Sequence, residues 1–169
     1  MTKTLKLALV FLMAATGVAS AGGSDGSIGV GGEYQLNGIG GASFNYDGGK
    51  FHVGAFLGLN DPDGADNTDF TIGARFYYHV ASTAMSDFSV GGSVGLLSDG
   101  IPPTGGIGDG TRNTNLYLEP GFQIRAFIAS NVALSFTGGL VIRALDDSGV
   151  QFGAQANGIA GIHYYFFGQ

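Results

Sequence analysis

The 169-residue chain contains no cysteine, no tryptophan and only four prolines. Without cysteine there is neither a disulfide framework nor thiol chemistry, so a compact state must rest on packing and hydrogen bonding alone. Charge is scarce and unbalanced: seven Lys and Arg against thirteen Asp and Glu, a formal net charge of −6. So acidic a chain is a poor partner for nucleic acid, whose binding depends on neutralising phosphates. After residue 21 no apolar run approaches the roughly 18 residues a membrane-spanning helix needs. Glycine, by contrast, is abundant at 32 residues. With no collagen period and no low-complexity tract, that content suits strands with bends and close backbone approaches.

The first residues read MTKTLKLALVFLMAATGVASA. Lys3 and Lys6 give a positive start, Leu7 to Ala15 an apolar stretch, and Ala19-Ser20-Ala21 a small-residue cleavage site. This pattern predicts a secretory signal peptide over 1–21, cut after Ala21, and hence an exported chain. Removal of Lys3 and Lys6 leaves five basic residues against thirteen acidic.

From Ser27 onward, eight runs alternate at period two, the sign of strands with two unlike faces. They cover roughly 27–36, 39–47, 50–60, 69–81, 87–98, 114–128, 132–145 and 149–167. In NLYLEPGFQIRAFI, for example, Leu116, Leu118, Pro120, Phe122, Ile124, Ala126 and Ile128 form one series. Asn115, Tyr117, Glu119, Gly121, Gln123, Arg125 and Phe127 form the other. The second run is the weakest. Its better split sets Ala42, Phe44 and Tyr46 against Ser43 and Asn45, which requires a three-residue loop or a bulge near Gly40-Gly41. The next turn reads as a two-residue hairpin with Gly48-Gly49 at its tip, matching Tyr46 to Phe51.

The links alternate too. Those at 47–50, 82–86 and 129–131 are short; those at 60–69 and 98–113 are long and acidic or rich in Gly and Pro, and the short links at 37–38 and 146–148 fall on their side. An even strand number with short turns at one end and longer loops at the other predicts an all-β, closed, antiparallel, eight-stranded transmembrane β-barrel spanning 22–169. Charge placement agrees. Away from the strand ends the charged residues are Glu33, Arg75, Glu119, Arg125 and Arg143, all on the polar series. Arg facing lipid at mid-depth would cost about 2–4 kcal/mol. On the apolar series, Tyr46, Phe51, Tyr78, Phe88, Tyr164 and Phe166 gather at the short-link end, with Tyr34, Phe70 and Phe152 toward the other. They read as interface girdles.

Inside so narrow a barrel the five charges are expected to form a connected ion-pair network, since buried charge without a partner is costly. Counting back from the 129–131 turn puts Glu119 opposite 141 or 143, making Arg143 its expected direct or diagonal partner. The network either fills the barrel or acts as a gate whose partner exchange opens a small conductive path. His52, His79 and His163 lie on the lumen series but on separate strands, without metal-ligand spacing. Ser89 and Ser135 face away from any evident His–acid pair and no G-x-S-x-G occurs, so no enzyme and no cofactor are expected. Asp61, Asp63, Asp66 and Asp69 contain part of a calcium loop without its closing Glu, and are a weak divalent-cation candidate in an acidic outer loop. GGIGDG at 105–110 opens no helix and is not a nucleotide loop.

With these strands in hand, residues 27–167 resemble the small eight-stranded outer-membrane β-barrels of Gram-negative bacteria, similar to the OmpA transmembrane domain and OmpX. The ending GIHYYFFGQ is similar to the aromatic last strand that the family's assembly machinery recognises, although it finishes on Gln169. The resemblance implies a monomer in the bacterial outer membrane, both termini in the periplasm. Its partners would be the lipid bilayer, lipopolysaccharide and the assembly machinery, and no nucleic acid. Three roles are open: a structural or surface protein, a small gated low-conductance pore, or adhesion through the long loops.

Overall fold

The computed structural model describes residues 25–34, 40–61, 68–101, 110–146, 148–152 and 160–166. The expected signal segment 1–21 lies outside these residues, as do Asp63, Asp66 and Gln169. The strands are β1 (Ser27–Tyr34), β2 (Gly40–Asp47), β3 (Phe51–Asn60), β4 (Asp69–Ser82), β5 (Ser86–Ile101), β6 (Thr111–Ala129), β7 (Val132–Leu145), β8 (Gly149–Phe152) and β9 (Ala160–Phe166). Consecutive strands pair antiparallel from β1 to β7. Both β8 and β9 pair with β7, and β9 returns to β1. These last two strands share one position in the wall, so the sheet closes into an antiparallel eight-stranded barrel.

The registers give the barrel its shape. Val30 faces Tyr164, which faces Val132 on β7. In the other direction Val30 faces Phe44, then Ala55, Ala74, Val94, Leu118 and finally Ile142, also on β7. One circuit therefore returns ten residues farther along the same strand, from 132 to 142. With a rise of about 3.3 Å and a strand spacing of about 4.8 Å, that stagger tilts the strands by about 40°. The interior is then just wide enough for side chains to fill.

Alternation decides which side chains go there. Ser43, Asn45 and Asp47 are buried while Ala42, Phe44 and Tyr46 point out, the parity expected for the second run. The first hairpin tip differs from expectation. Tyr46 faces Val53, not Phe51, and the Gly48 N–H bonds the Phe51 carbonyl, so the tip is Gly49-Lys50. Gly49 has φ +76°, which glycine adopts without strain; the Lys50 N–H bonds the Gly48 carbonyl across it at 2.9 Å, and its own N–H bonds Asp47 Oδ1 at 3.2 Å. The β5–β6 hairpin is longer than its sequence pattern indicated, with pairing out to Ile101↔Thr111.

Beyond the wall this ribbon has edges, and acidic side chains cover them. Asp69 Oδ1 accepts the Gly100 N–H at 3.1 Å on the β5 edge, and Asp146 Oδ2 accepts the Thr114 N–H at 2.7 Å on the β6 edge. Each carboxylate occupies a donor that would otherwise invite a foreign strand. The β6–β7 ladder shifts register between Phe127 and Ala129 beside the turn, and it is also interrupted midway. It steps from Leu118↔Ile142 to Gly121↔Gly139 with no pair at Glu119 or Pro120, and proline has no N–H to give.

Glycines make room for aromatic rings across the strands. A Cβ on Gly29 would lie 2.7 Å from the ring of Tyr165, its lumenal neighbour on β9. Gly95 opposes Tyr117 in the same way, and on the outer face Gly138 opposes Phe122. The high glycine content thus packs large side chains into a tube too narrow for a full row of them.

Candidate functional site

The interior contains the chemistry. Its buried residues are mostly polar: Glu33, Asp47, His52, Arg75, Asp87, Glu119, Arg125 and His163 are each at most 8% exposed. The outer face is the inverse. Ile28, Val30, Phe44, Leu57, Ile72, Phe76, Val94, Leu118, Phe136 and Ile162 are all exposed. Aromatic side chains stand outward near the short-link end at Tyr46, Tyr78, Phe88, Tyr164 and Phe166.

Arg125 on β6 is the most heavily bonded of the lumenal groups. Its Nε donates to both oxygens of Asp87 at 3.0 Å, and its NH2 group lies 2.7 Å from Asp47 Oδ2 and from Asp87 Oδ2. NH1 donates to the Tyr165 hydroxyl at 2.9 Å, and NH2 lies 3.1 Å from His79 Nε2. The rings of Phe127 and Tyr165 flank it, with centroids 5.6 and 5.8 Å from Cζ. Three of these partners follow from the turns: Asp47 and Asp87 border short links, and His79 sits beside a β-bulge between His79 and Ala81. The cluster consequently stands at the short-link mouth of the lumen.

A second cluster joins Glu33 on β1 to Arg75 on β4 through an ion pair. His163 on β9 places Nε2 3.3 Å from Glu33 Oε2, and Ser43 on β2 meets the same nitrogen at 2.5 Å. The set Ser43, His163 and Glu33 has the composition of a hydrolytic triad, but both oxygens share Nε2 while Nδ1 has no partner. A relay needs hydroxyl and acid on opposite ring nitrogens. The arrangement therefore supports packing of a buried carboxylate and not nucleophile activation.

The expected single network of five charges is thus redistributed. Glu33 and Arg75 meet, whereas Arg125 is neutralised by Asp47 and Asp87, residues that lay at the strand ends and outside the expected set. Both nonetheless continue the polar series of their strands, a signal present in the pattern. Glu119 accepts the hydroxyl of Ser93, which it faces directly across β5–β6. The register sets Tyr117 directly opposite Arg143 and levels Glu119 with Val141, so Arg143 is diagonal to Glu119, one of the two expected placements.

The acidic loop is only partly described. Asp61 Oδ1 takes the Thr68 hydroxyl at 2.6 Å, and Asp69 accepts from Asn60 at 3.1 Å as well as from Gly100. These two carboxylates tie down the loop base and the ribbon. Among the described residues no three His or acidic side chains gather as metal ligands.

Comparison with known proteins adds no relative: no family model, curated protein or solved structure matches the chain. The class is therefore defined by the fold and its polarity alone: a closed antiparallel eight-stranded barrel, apolar outside and ionic within.

Proposed function

We propose that this chain is an integral barrel of a bacterial outer membrane, with a structural or surface role and a lumen closed by its ion clusters. One observation carries the reading: the inverted polarity of the wall. Monomers in water rarely expose contiguous apolar patches beyond a few hundred Å², whereas here large apolar side chains stand outward on every strand whose side chains are described. In hydrocarbon the same wall is well suited, since a closed ladder satisfies backbone groups strand to strand and leaves no edge. Short links at one end and long ones at the other fit the same setting.

The test is refolding of residues 22–169 with and without amphiphile. The expected result is a folded barrel only in detergent or lipid, with gel mobility that changes on heating. A monodisperse, folded protein in plain buffer would end the membrane reading.

A second reading, a small gated pore, is favoured by lumenal polar atoms that have no protein partner. Ser27 Oγ and Asn45 Oδ1 are buried in this way and offer sites to water. Planar-bilayer recording decides between the two. Discrete openings that enlarge or become more frequent in Glu33→Ala would make the Glu33–Arg75 pair a gate; silence from both proteins would leave it as a plug.

A further inference from the structure

A groove on the outer wall crosses the closing seam. It is a cavity of about 840 Å³ whose outward border runs from Leu134 on β7 past Ile162 on β9 to Gly32 and Tyr34 on β1, Gly40 on β2 and Leu59 on β3. Asn60 and Asp69 stand at its upper end, where the Asn60 amide donates to Asp69 Oδ2 at 3.1 Å. Glu33 also borders the cavity, and its register partners Gly41 and Gly161 leave the wall thin on either side of it.

The registers set the course of this groove. Leu134 faces Ile162, and Ile162 faces Gly32. Two residues farther along β1, Tyr34 faces Gly40, which is next to the Gly41↔Gly58 pair and so level with Leu59. Asn60 then faces Asp69. With strands tilted by about 40°, each step between strands rises about 3.1 Å along the barrel axis and each residue about 2.5 Å. From Leu134 to Asp69 the groove climbs about 23 Å while moving about 12 Å around the wall. It follows the axis more closely than the strands do.

Gly32 keeps part of this space open. Other glycines of the wall are required by a neighbour: a Cβ would lie 2.7 Å from the Tyr165 ring at Gly29 and 2.9 Å from the Tyr34 ring at Gly40. At Gly32 a Cβ would meet only the Gly41 carbonyl oxygen, at 3.6 Å, an ordinary contact. Its φ is not in the left-handed region either. Packing within the barrel therefore gives no reason for glycine at 32, where it weakens the strand.

We propose that the groove holds one acyl chain of a membrane lipid, with the polar head at Asn60 and Asp69 on the long-link rim. The site presupposes the membrane reading above and goes beyond it: the remaining wall meets lipid that exchanges freely, whereas this groove retains a chain. Ile162, Tyr34 and Leu59 offer exposed apolar surface along the path, and the polar pair lies at one end only. The course is the one acyl chains take in a bilayer. An added strand does not fit, because β1 and β9 already pair along both edges.

The test titrates the refolded barrel, in detergent micelles, with phosphatidylcholine carrying a nitroxide on its acyl chain. Paramagnetic broadening of backbone amides is read at Gly32, Ile162 and Leu59, and on the opposite wall at Phe76, Val94 and Leu118. Broadening at the groove is expected to saturate at one lipid per barrel and to be reversed by unlabelled phosphatidylcholine. Gly32→Leu should weaken binding about tenfold, the effect of excluding about two methylenes of chain from contact. Equal, unsaturable broadening on both walls would overturn the site while leaving the membrane reading intact, as would a Gly32→Leu barrel that binds unchanged. Weaker broadening at the groove than opposite it would also overturn the site, by showing it covered by another part of the chain or a second copy. No broadening on either wall of a folded barrel would remove the membrane reading and the groove with it. Should Gly32→Leu fail to fold, saturation and displacement in the wild type decide.

Discussion

Asp87 and Arg125 are direct partners across the β5–β6 ladder, and the guanidinium Nε lies 3.0 Å from both carboxylate oxygens. Asp47 arrives from the far side of the lumen to the same guanidinium. One cation thus holds two carboxylates that would otherwise repel each other in a buried space. Removing the cation should be worse than removing either acid. Arg125→Met is expected to cost about 3–5 kcal/mol, because it strands two buried charges. Asp87→Asn, which leaves Asp47 in place, should cost about 1–3 kcal/mol. Equilibrium urea unfolding of the refolded variants checks the order; equal losses would mean that the two carboxylates do not depend on Arg125.

Gly29 and Gly138 both oppose an aromatic ring, one inside the barrel and one outside. Tyr165 over Gly29 is pinned by its hydroxyl bond to Arg125 and cannot swing away. Phe122 over Gly138 is partly exposed and free to turn outward. Gly29→Ala should therefore cost about 1–3 kcal/mol, as overpacking does in a filled core, and Gly138→Ala under about 1 kcal/mol. The same unfolding measurement tests the contrast, which disappears if Tyr165 can shift as easily as Phe122.

Leu118 stands outward midway along β6. In a bilayer, Leu118→Arg should destabilise the barrel by about 2–4 kcal/mol, since the charge would sit in hydrocarbon. In water the same change would fall within about 0.5 kcal/mol, like most surface substitutions. Unfolding from lipid vesicles discriminates, with Leu145→Arg at the long-link end as the milder control.

Pro120 coincides with the gap in the β6–β7 ladder. Pro120→Val restores an N–H and is expected to gain about 0.5–1.5 kcal/mol, the net worth of one hydrogen bond. No gain would assign the gap to the course of β7 itself.

Much of the wall was legible before any coordinates, because period-two alternation reports directly on two unlike environments. Phe44 and Ser43 fell on opposite faces as the weak second run required, even though its turn did not reveal itself. The hairpin tip was misplaced by one residue because Gly48-Gly49 and Gly49-Lys50 preserve the same parity, and only the hydrogen bond from Gly48 to Phe51 separates them. The extra length of β5 and β6 was hidden because a protruding ribbon buries neither face and so leaves no alternation to read. Within the lumen, pattern gave the inward direction of Arg125 but not its height. Tilt decides height, and it brings Asp47 and Asp87 beside Arg125 while holding Glu33 with Arg75 elsewhere.

The ten-residue offset accumulated around the wall has a consequence for biogenesis. Each hairpin joins neighbours in sequence, whereas the seam between β1 and β9 joins the first and last described strands and carries the greatest loop-closure cost. It fits only if every preceding register is right, for a slip of one residue anywhere would present the wrong face of β1 to β9. Closure therefore acts as a proofreading step: a misregistered sheet stays open, with an unsealed edge on each side, and can be told from the finished molecule by that alone.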